Sequence, residues 1–239
     1  MIYENLAVPQ KESTPAIILA ADLGARNDYT ALVAVRQSPQ PMARFPGDRE
    51  VLQYFDVVFM DRFRGVPYPE VAERILSLMI RPELKGITTL VVDATGVGLP
   101  VVQTLSELGL SPIALTITGG TKASSDSFLG NGYLVPKRDL YMAATVVLQS
   151  GRLRIISHPL KDQLDKELKG FSYKLTKTGK ETASNETDEL HDDLAMALCM
   201  ALWYGNKGGS RSLMQIDEDF FDNLGGAKTS YPEWSLNGG

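Results

Sequence analysis

The sequence predicts an α/β protein whose central mixed sheet has at least five strands and is flanked by helices. Short, unbroken apolar runs, at residues 16–23 and 87–92, are typical of strands that are buried on both faces. Other stretches carry apolar residues at helical spacing, as residues 71–79 do. At 239 residues, 44% of them hydrophobic, the chain is long enough for one sizeable domain of this class.

The elements follow one another in an order that narrows the fold class. Strands are predicted at residues 16–23, 30–36, 51–60, 87–92, 112–118 and 153–156, and helices at residues 67–79, 101–108, 140–149, 160–169 and 189–204. The first three strands are close enough in sequence to form an antiparallel meander. The order β-β-β-α-β-α-β is that of the ribonuclease H-like fold, in which the strands at 16–23 and 87–92 are parallel neighbours joined by a crossover.

The composition divides the chain into three parts. Residues 1–15 are a polar lead-in, residues 16–207 form the folded domain, and residues 208–239 are expected to be a flexible acidic tail. The tail carries −3 of the formal net charge of −5. The folded part therefore keeps only −2, which is compatible with a basic face beside an acidic pocket.

Neither a membrane-spanning segment nor a disulfide bond is expected. No apolar run approaches the roughly 18 residues of a membrane span, and the first residues lack the basic-then-apolar order of a signal peptide. The single cysteine, Cys199, excludes an internal disulfide and a cysteine-based zinc site. We therefore expect a cytoplasmic protein with no membrane partner.

Two adjacent aspartates, Asp192 and Asp193, stand at the start of the last predicted helix, within ELHDDLAMALCMALWY. Their mutual repulsion is partly offset by the positive partial charge of a helix amino terminus. An aspartate in a first turn is also an ordinary capping residue, so the pair alone leaves both interpretations open. Several alanines follow, which would let the helix lie close to a sheet.

Two further aspartates, Asp22 and Asp93, each end a predicted apolar strand. Either of them alone could be a turn or capping residue. Ligand sites in such sheets gather at the carboxyl ends of strands. Because the two strands are expected to be parallel neighbours, we expect both carboxylates to lie close together and near the helical pair.

Four stretches resemble the nuclease domain of the large terminase subunit of tailed bacteriophages. They are ADLGARNDYTALVAV, VVDATGVGLPVVQTL, VPKRDL and ELHDDLAMALCMAL, and the resemblance covers about residues 16–205. It implies a metal-dependent endonuclease that cuts concatemeric viral DNA during packaging, with Asp22, Asp93 and Asp192 or Asp193 as metal ligands. It also implies double-stranded DNA, the portal and the small terminase subunit as partners, in the host cytoplasm.

The packaging ATPase of a large terminase subunit has no counterpart in the sequence. A G-x-x-x-x-G-K-[ST] phosphate loop is missing, since Gly179 and Lys180 are followed by Glu181 and lack the upstream glycine. The ATPase is therefore expected on another domain or a separate chain.

The implied chemistry suits the residues. Two divalent ions about 3.5–4 Å apart can activate a water molecule and stabilise the leaving oxygen of a phosphodiester. Carboxylates without cysteine favour Mg²⁺ or Mn²⁺ over zinc. We assign Asp22 as the bridging ligand, Asp93 to one ion, and Asp192 or Asp193 to the other. His191 is a possible accessory residue for a water molecule or the phosphate, although a histidine at a helix start is often a capping or packing residue.

Seven basic residues are candidates for contacts to the DNA backbone. Some lie in or just after the glycine- and serine-rich residues 119–135, which we expect to form a loop that gates DNA entry; the others precede the acidic helix. Residues 119–135 can equally be a mobile surface loop, and the lysines before the last helix can equally be a solvated face. The candidates are Lys122, Lys137, Arg138, Lys169, Lys174, Lys177 and Lys180.

Three other functions remain open. A Holliday-junction resolvase shares the acid cluster, but the VPKRDL and ATGVG stretches fit terminases better. An actin-like ATPase would need a second phosphate loop and an adenosine-binding segment, and the chain is short for its two lobes. A DNA-binding structural module would use the acids as helix caps and would not bind manganese.

Overall fold

The computed structural model describes residues 16–24, 28–42, 50–96, 98–126, 131–177 and 192–207. For residues 41, 42, 50, 51 and 171–177 only the backbone is described. The predicted lead-in, His191, Lys180 and the acidic tail lie outside these ranges. The predicted limits of the folded domain, residues 16 and 207, remain predictions.

Within the described residues the chain forms one mixed sheet of eight strands with five helices. The strands are β1 Ala16–Asp22, β2 Tyr29–Met42, β3 Glu50–Arg64, β4 Thr88–Asp93, β5 Ile113–Thr118, β6 Ser124–Asp126, β7 Gly132–Pro136 and β8 Leu153–Ile155. The helices are α1 Tyr68–Met79, α2 Gly98–Glu107, α3 Lys137–Gln149, α4 Lys161–Lys177 and α5 Asp193–Lys207. No helix in this described part is both long and apolar enough to cross a membrane.

The strand order β6-β7-β5-β4-β1-β2-β3-β8 has the connections of the ribonuclease H-like fold. Strands β1, β2 and β3 pair antiparallel in sequence, as the meander predicts. The chain then crosses over through α1, so that β4 pairs parallel to β1 and β5 pairs parallel to β4. The predicted fold class is confirmed, and so is the parallel pairing of the strands that end in Asp22 and Asp93.

The sheet separates two apolar cores. Side chains alternate along β1, so that Ile18 and Ala20 face one core while Leu19 and Ala21 face the other. The first core lies under α3 and α5, and the second lies under α1 and α2. Burial on both faces explains why β1 and β4 are unbroken apolar runs.

Helix α5 packs directly against the sheet, and its residues from Leu194 to Trp203 are buried. At its far end a Cβ atom on Gly205 would stand 2.6 Å from the Phe55 ring and 2.9 Å from Ile18 Cδ1. The side chain of Gln37 donates to the Gly205 carbonyl oxygen at 2.9 Å. The lack of a side chain at Gly205 thus allows this end of α5 to lie close to the sheet.

Strands β2 and β3 are longer than the sequence predicts, since Pro39, Pro41 and Pro46 indicate a loop between the strands predicted at residues 30–36 and 51–60. Pro39 and Pro41 instead pair with Gln53 and Val51 in the ladder. Among the residues that the structure describes, β1 accompanies β2 only as far as Gln37, and beyond that residue β2 pairs with β3 alone. Proline is tolerated on such an edge because no neighbour needs its missing N–H group.

The predicted loop over residues 119–135 is also wrong in part. It contains β6 and most of β7, and β7 pairs parallel to β5 with Gly132 opposite Ala114. The apolar part of β7 is only three residues long and follows two glycines. The glycine-rich sequence before it therefore indicates a loop and not a strand. Helix α4 continues to Lys177 rather than ending at residue 169, and the predicted lysine run therefore begins inside a helix.

Candidate active site

Asp22 and Asp93 end adjacent parallel strands. Ala21 lies opposite Val92 in the register of β1 and β4, so the two aspartates that follow stand side by side at one edge of the sheet. Both side chains are partly exposed there. Their proximity follows from the strand pairing alone.

A tight turn holds Asp93. The backbone N–H of Thr95 donates to Asp93 Oδ1 at 2.8 Å, as in the turns that aspartates often start. The Thr95 hydroxyl oxygen accepts the N–H of Ile117 at 2.8 Å, and Ala94 N–H donates to the Leu115 carbonyl at 2.8 Å. The turn is therefore fastened to β5 on both sides.

Two glycines make this turn possible. Gly96 has a φ of 58°, which favours a residue without a Cβ atom. Gly98 begins α2 against the backbone of β4, and a Cβ atom there would collide with the carbonyl oxygen of Asp93. The D-x-T-G-x-G pattern is thus the geometric requirement for placing Asp93 between a strand and a helix.

Asp22 is at the centre of the group of carboxylates. Its pKa is raised well above the ordinary value, first because the protein surrounds its carboxyl group and then because Asp93, Asp193 and Asp192 repel a negative charge there. Lys137 partly offsets these effects. The structure therefore brings the other three predicted aspartates within electrostatic reach of Asp22.

Asp93 is held in a milder environment. Burial raises its pKa, while the hydrogen bonds from Thr95 and the positive charge of Lys137 act in the opposite direction. Lys137 is exposed at the first residue of α3. Its charge reaches both Asp22 and Asp93, so at least this predicted basic residue lies near the acids.

The two aspartates of the helical pair, which we call the acid turn, have different surroundings. The Asp192 carbonyl oxygen accepts the N–H of Met196 at 2.7 Å and so starts the first turn of α5. Asp193 Oδ2 accepts hydrogen bonds from Arg62 Nε at 3.3 Å and Nη2 at 3.0 Å. A single arginine from β3 therefore holds one of the two adjacent carboxylates.

Glu167 of α4 supports the acid turn and was missed in the sequence. Its side chain is fully buried, accepts the N–H of Ala195 at 3.0 Å, and lies 3.9 Å from Arg62 Nε. Burial raises its pKa, against the hydrogen bonds of Gln163 and Ala195. Glu167 lies three residues after the buried Leu164 and therefore on the apolar face of α4. Its position on that face is the sequence feature that could have indicated a buried acid.

Tyr141 was also missed. It lies one turn after Lys137 in α3, and the Lys137 Nζ atom is 5.5 Å from its ring centre. Burial raises the pKa of its hydroxyl group, and the nearby carboxyl groups of Asp192 and Asp22 raise it further. A tyrosine in VPKRDLY at the correct helical spacing from Lys137 could have been selected from the sequence.

The remaining predicted DNA contacts are scattered. Lys122 and Lys169 are exposed, on the segment before β6 and on α4, and Arg138 is exposed with Nε 4.0 Å from Asp139 Oδ1. The side chains of Lys174 and Lys177 are not described, and Lys180 and His191 lie outside the described residues. Their roles stay predictions.

The donor set fits magnesium or manganese. Carboxylate oxygens are the ligands these ions prefer, and a divalent cation would relieve the repulsion that raises the pKa of Asp22. However, no three acidic, histidine or cysteine side chains of the described ranges are already arranged to hold an ion.

Comparison with known proteins gives structural similarity only. No protein-family model matches the sequence, and no curated protein matches it. The large terminase nuclease from thermophilic phage G20c with bound magnesium is 18% identical at a TM-score of 0.49, covering 79% of this chain and 80% of that one. The large terminase nuclease domain of Thermus phage P74-26 is 17% identical at 0.48, covering 78% of each.

A third solved structure, the manganese-soaked terminase nuclease domain of human cytomegalovirus, is 16% identical at a TM-score of 0.40, covering 80% of this chain and 82% of that one. All three are terminase nuclease domains, the class that the sequence motifs resemble.

Proposed function

We propose that this chain is a divalent-cation-dependent endonuclease of the large terminase type, which cuts concatemeric viral DNA during genome packaging. The observation that carries the proposal is the convergence of Asp22, Asp93 and the acid turn at one edge of the sheet. The three other carboxylates repel a negative charge on Asp22, which costs stability unless a cation or a proton is present. Structural caps alone do not require such a cluster.

The four aspartates would hold two ions, Mg²⁺ or Mn²⁺. Asp22 interacts electrostatically with all three of the others, which suits a ligand shared by both ions. Asp93 would serve one ion and the acid turn the other. Two such ions, when bound, lower the pKa of water and neutralise charge on the leaving oxygen of a phosphodiester.

The basic residues would bind the DNA backbone. Lys137 lies close enough to influence the charges of both strand-borne aspartates, so a phosphate group near the ions would also lie near its ammonium group. Lys122, Arg138 and Lys169 are exposed and would contact phosphates further along the duplex. The portal, the small terminase subunit and a packaging ATPase, in the host cytoplasm, are the partners we propose.

The proposal is tested by incubating the protein with supercoiled plasmid, with and without MnCl₂. We expect nicked and linear products only with the metal, and none from Asp22→Asn. Asp56→Asn is the matched control, because this β3 aspartate pairs with Arg154 at the distant edge next to β8. Absence of Mn²⁺-dependent products from the wild type, or normal nicking by Asp22→Asn, would refute the proposal.

A further inference from the structure

Arg62 connects four elements of the fold at one point. From β3 it donates to Asp193 Oδ2 of α5 through Nε and Nη2, and its Nε is 3.9 Å from Glu167 Oε1 of α4. Its guanidinium carbon lies 3.5 Å from the centre of the Tyr29 ring of β2. Only 13% of the side chain is exposed, so water competes weakly for these contacts.

These contacts restrict the orientation of the guanidinium group. Stacking on Tyr29 fixes its plane, and the carboxylates of Asp193 and Glu167 fix its rotation in that plane. Arginine keeps its charge at all ordinary pH values and presents its donors in a rigid fork. Arg62 is therefore a fixed positive group against which a mobile carboxylate can be oriented.

Asp193 needs such a restraint. It stands at the first residue of α5, and its negative charge raises the pKa of the nearby Asp22 carboxyl group. Repulsion would turn the Asp193 side chain away from Asp22 if nothing held it. The two hydrogen bonds from Arg62, at 3.0 and 3.3 Å, oppose that rotation.

We propose that Arg62 is a positioning residue, which keeps the Asp193 carboxylate near Asp22, within reach of a divalent cation bound there. The inference rests on the proposed function, since it presumes that the acid turn binds the ion. It makes Asp193 depend on an arginine that precedes it by 131 residues.

Arg74 is a close match for a control. It also forms an ion pair with an aspartate, Asp61, at 2.7 Å, and it also stacks on an aromatic ring, that of Phe63, at 4.3 Å. It lies on α1, which packs on the core opposite to α5. Arg74→Gln thus removes the same kinds of contact without touching the acid turn.

The test is calorimetric titration of the full chain with MnCl₂ in the absence of DNA. Arg62→Gln is expected to raise the dissociation constant roughly 10- to 100-fold, the usual effect of losing a residue that orients a metal ligand. Arg62→Lys is expected to behave more like Arg62→Gln than like the wild type, because lysine lacks the fork. Arg74→Gln is expected to bind as the wild type does.

Melting temperatures without metal are measured alongside, because a purely structural role would lower them and leave the dissociation constant unchanged. If Arg62→Gln does not fold, Arg62→Lys carries the test, since it keeps the positive charge. Unchanged or tighter Mn²⁺ binding by the Arg62 variants would overturn the inference alone. Failure of the wild type to bind Mn²⁺ would overturn both the inference and the proposed function.

Discussion

The strand-borne aspartates and the helix-borne aspartates reach the same place by different means. Asp93 is positioned by its own strand and by Thr95, two residues away. Asp193 is positioned by Arg62, which lies 131 residues earlier in the chain. The N–H group of Ala195, two residues after Asp193, donates to Glu167, which lies 28 residues before Ala195. The strand pair is thus supported by local backbone geometry, whereas the acid turn is supported by side chains from other elements.

This difference predicts different weaknesses. A change at the strand ends should act through backbone strain or through loss of a ligand. A change around the acid turn should act through loss of a distant polar contact, which costs less because the helix and its core remain.

The largest effect is expected from Asp93→Asn. Asparagine keeps an oxygen that can accept the Thr95 N–H, so the turn should stay folded, but the negative charge for a cation is lost. We expect the Mn²⁺-dependent rate of cleavage to fall on the order of 1,000-fold. Single-turnover cleavage of a labelled duplex measures this rate, and a loss smaller than about tenfold would argue against Asp93 as a ligand.

Gly98→Ala should be the most destabilising change at the strand ends. Its new methyl group would collide with the Asp93 carbonyl oxygen, so α2 must move away from β4. We expect the free energy of unfolding to fall by about 1–3 kcal/mol, as is usual for overpacking. Urea denaturation measures it.

Gly119→Ala is the control for that experiment, because a Cβ atom on Gly119 would meet nothing within 4 Å. Equal losses in the two variants would show that close packing at Gly98 is not the reason for its glycine.

A smaller effect is expected from Glu167→Ala on the helix side. The change leaves the buried N–H of Ala195 without its acceptor, and we expect a loss of about 1–2 kcal/mol in the free energy of unfolding. Asp165→Ala on the same helix removes a more exposed pair with Lys161 at 2.7 Å, which should cost about 0.5 kcal/mol or less. If the two variants are equally stable, the cap on α5 is unimportant.

The most subtle effect is a pH dependence at Asp22. Because burial and its acidic neighbours raise its pKa in the folded protein, the folded state binds the proton more tightly than the unfolded state does. Stability from this source is present below the ordinary aspartate pKa, about 4, and is lost as the pH rises through the raised value.

Asp22→Asn lacks this titration. Without divalent cations, the wild type should therefore lose stability relative to Asp22→Asn as the pH rises from about 4 towards neutrality. Melting curves in EDTA over this range measure the difference. A difference that is independent of pH would mean that the Asp22 carboxyl group is not strained in the folded protein.

Much of the fold follows from local patterns in the sequence. The unbroken apolar strands, their order and the aspartates that end them could be recognised because each signal lies within a few residues. The D-x-T-G-x-G turn is similar, since Thr95, Gly96 and Gly98 all act on the adjacent Asp93.

What the sequence did not reveal depends on partners that are distant along the chain. Pro39 and Pro41 are compatible with a strand because, in the described part of the chain, β1 reaches no further along β2 than Gln37. Arg62 looks like any polar residue on a strand until α5 brings Asp193 to it. Glu167 looks like a surface acid until the same helix brings the Ala195 N–H.

The most direct test of the central claim, that Asp22, Asp93 and the acid turn share divalent cations, is anomalous diffraction from crystals soaked in MnCl₂. We expect manganese peaks in contact with the Asp22 carboxylate, at least one also touching Asp93 and one touching Asp192 or Asp193. Manganese bound elsewhere, with Asp22 touching none of it, would contradict the account.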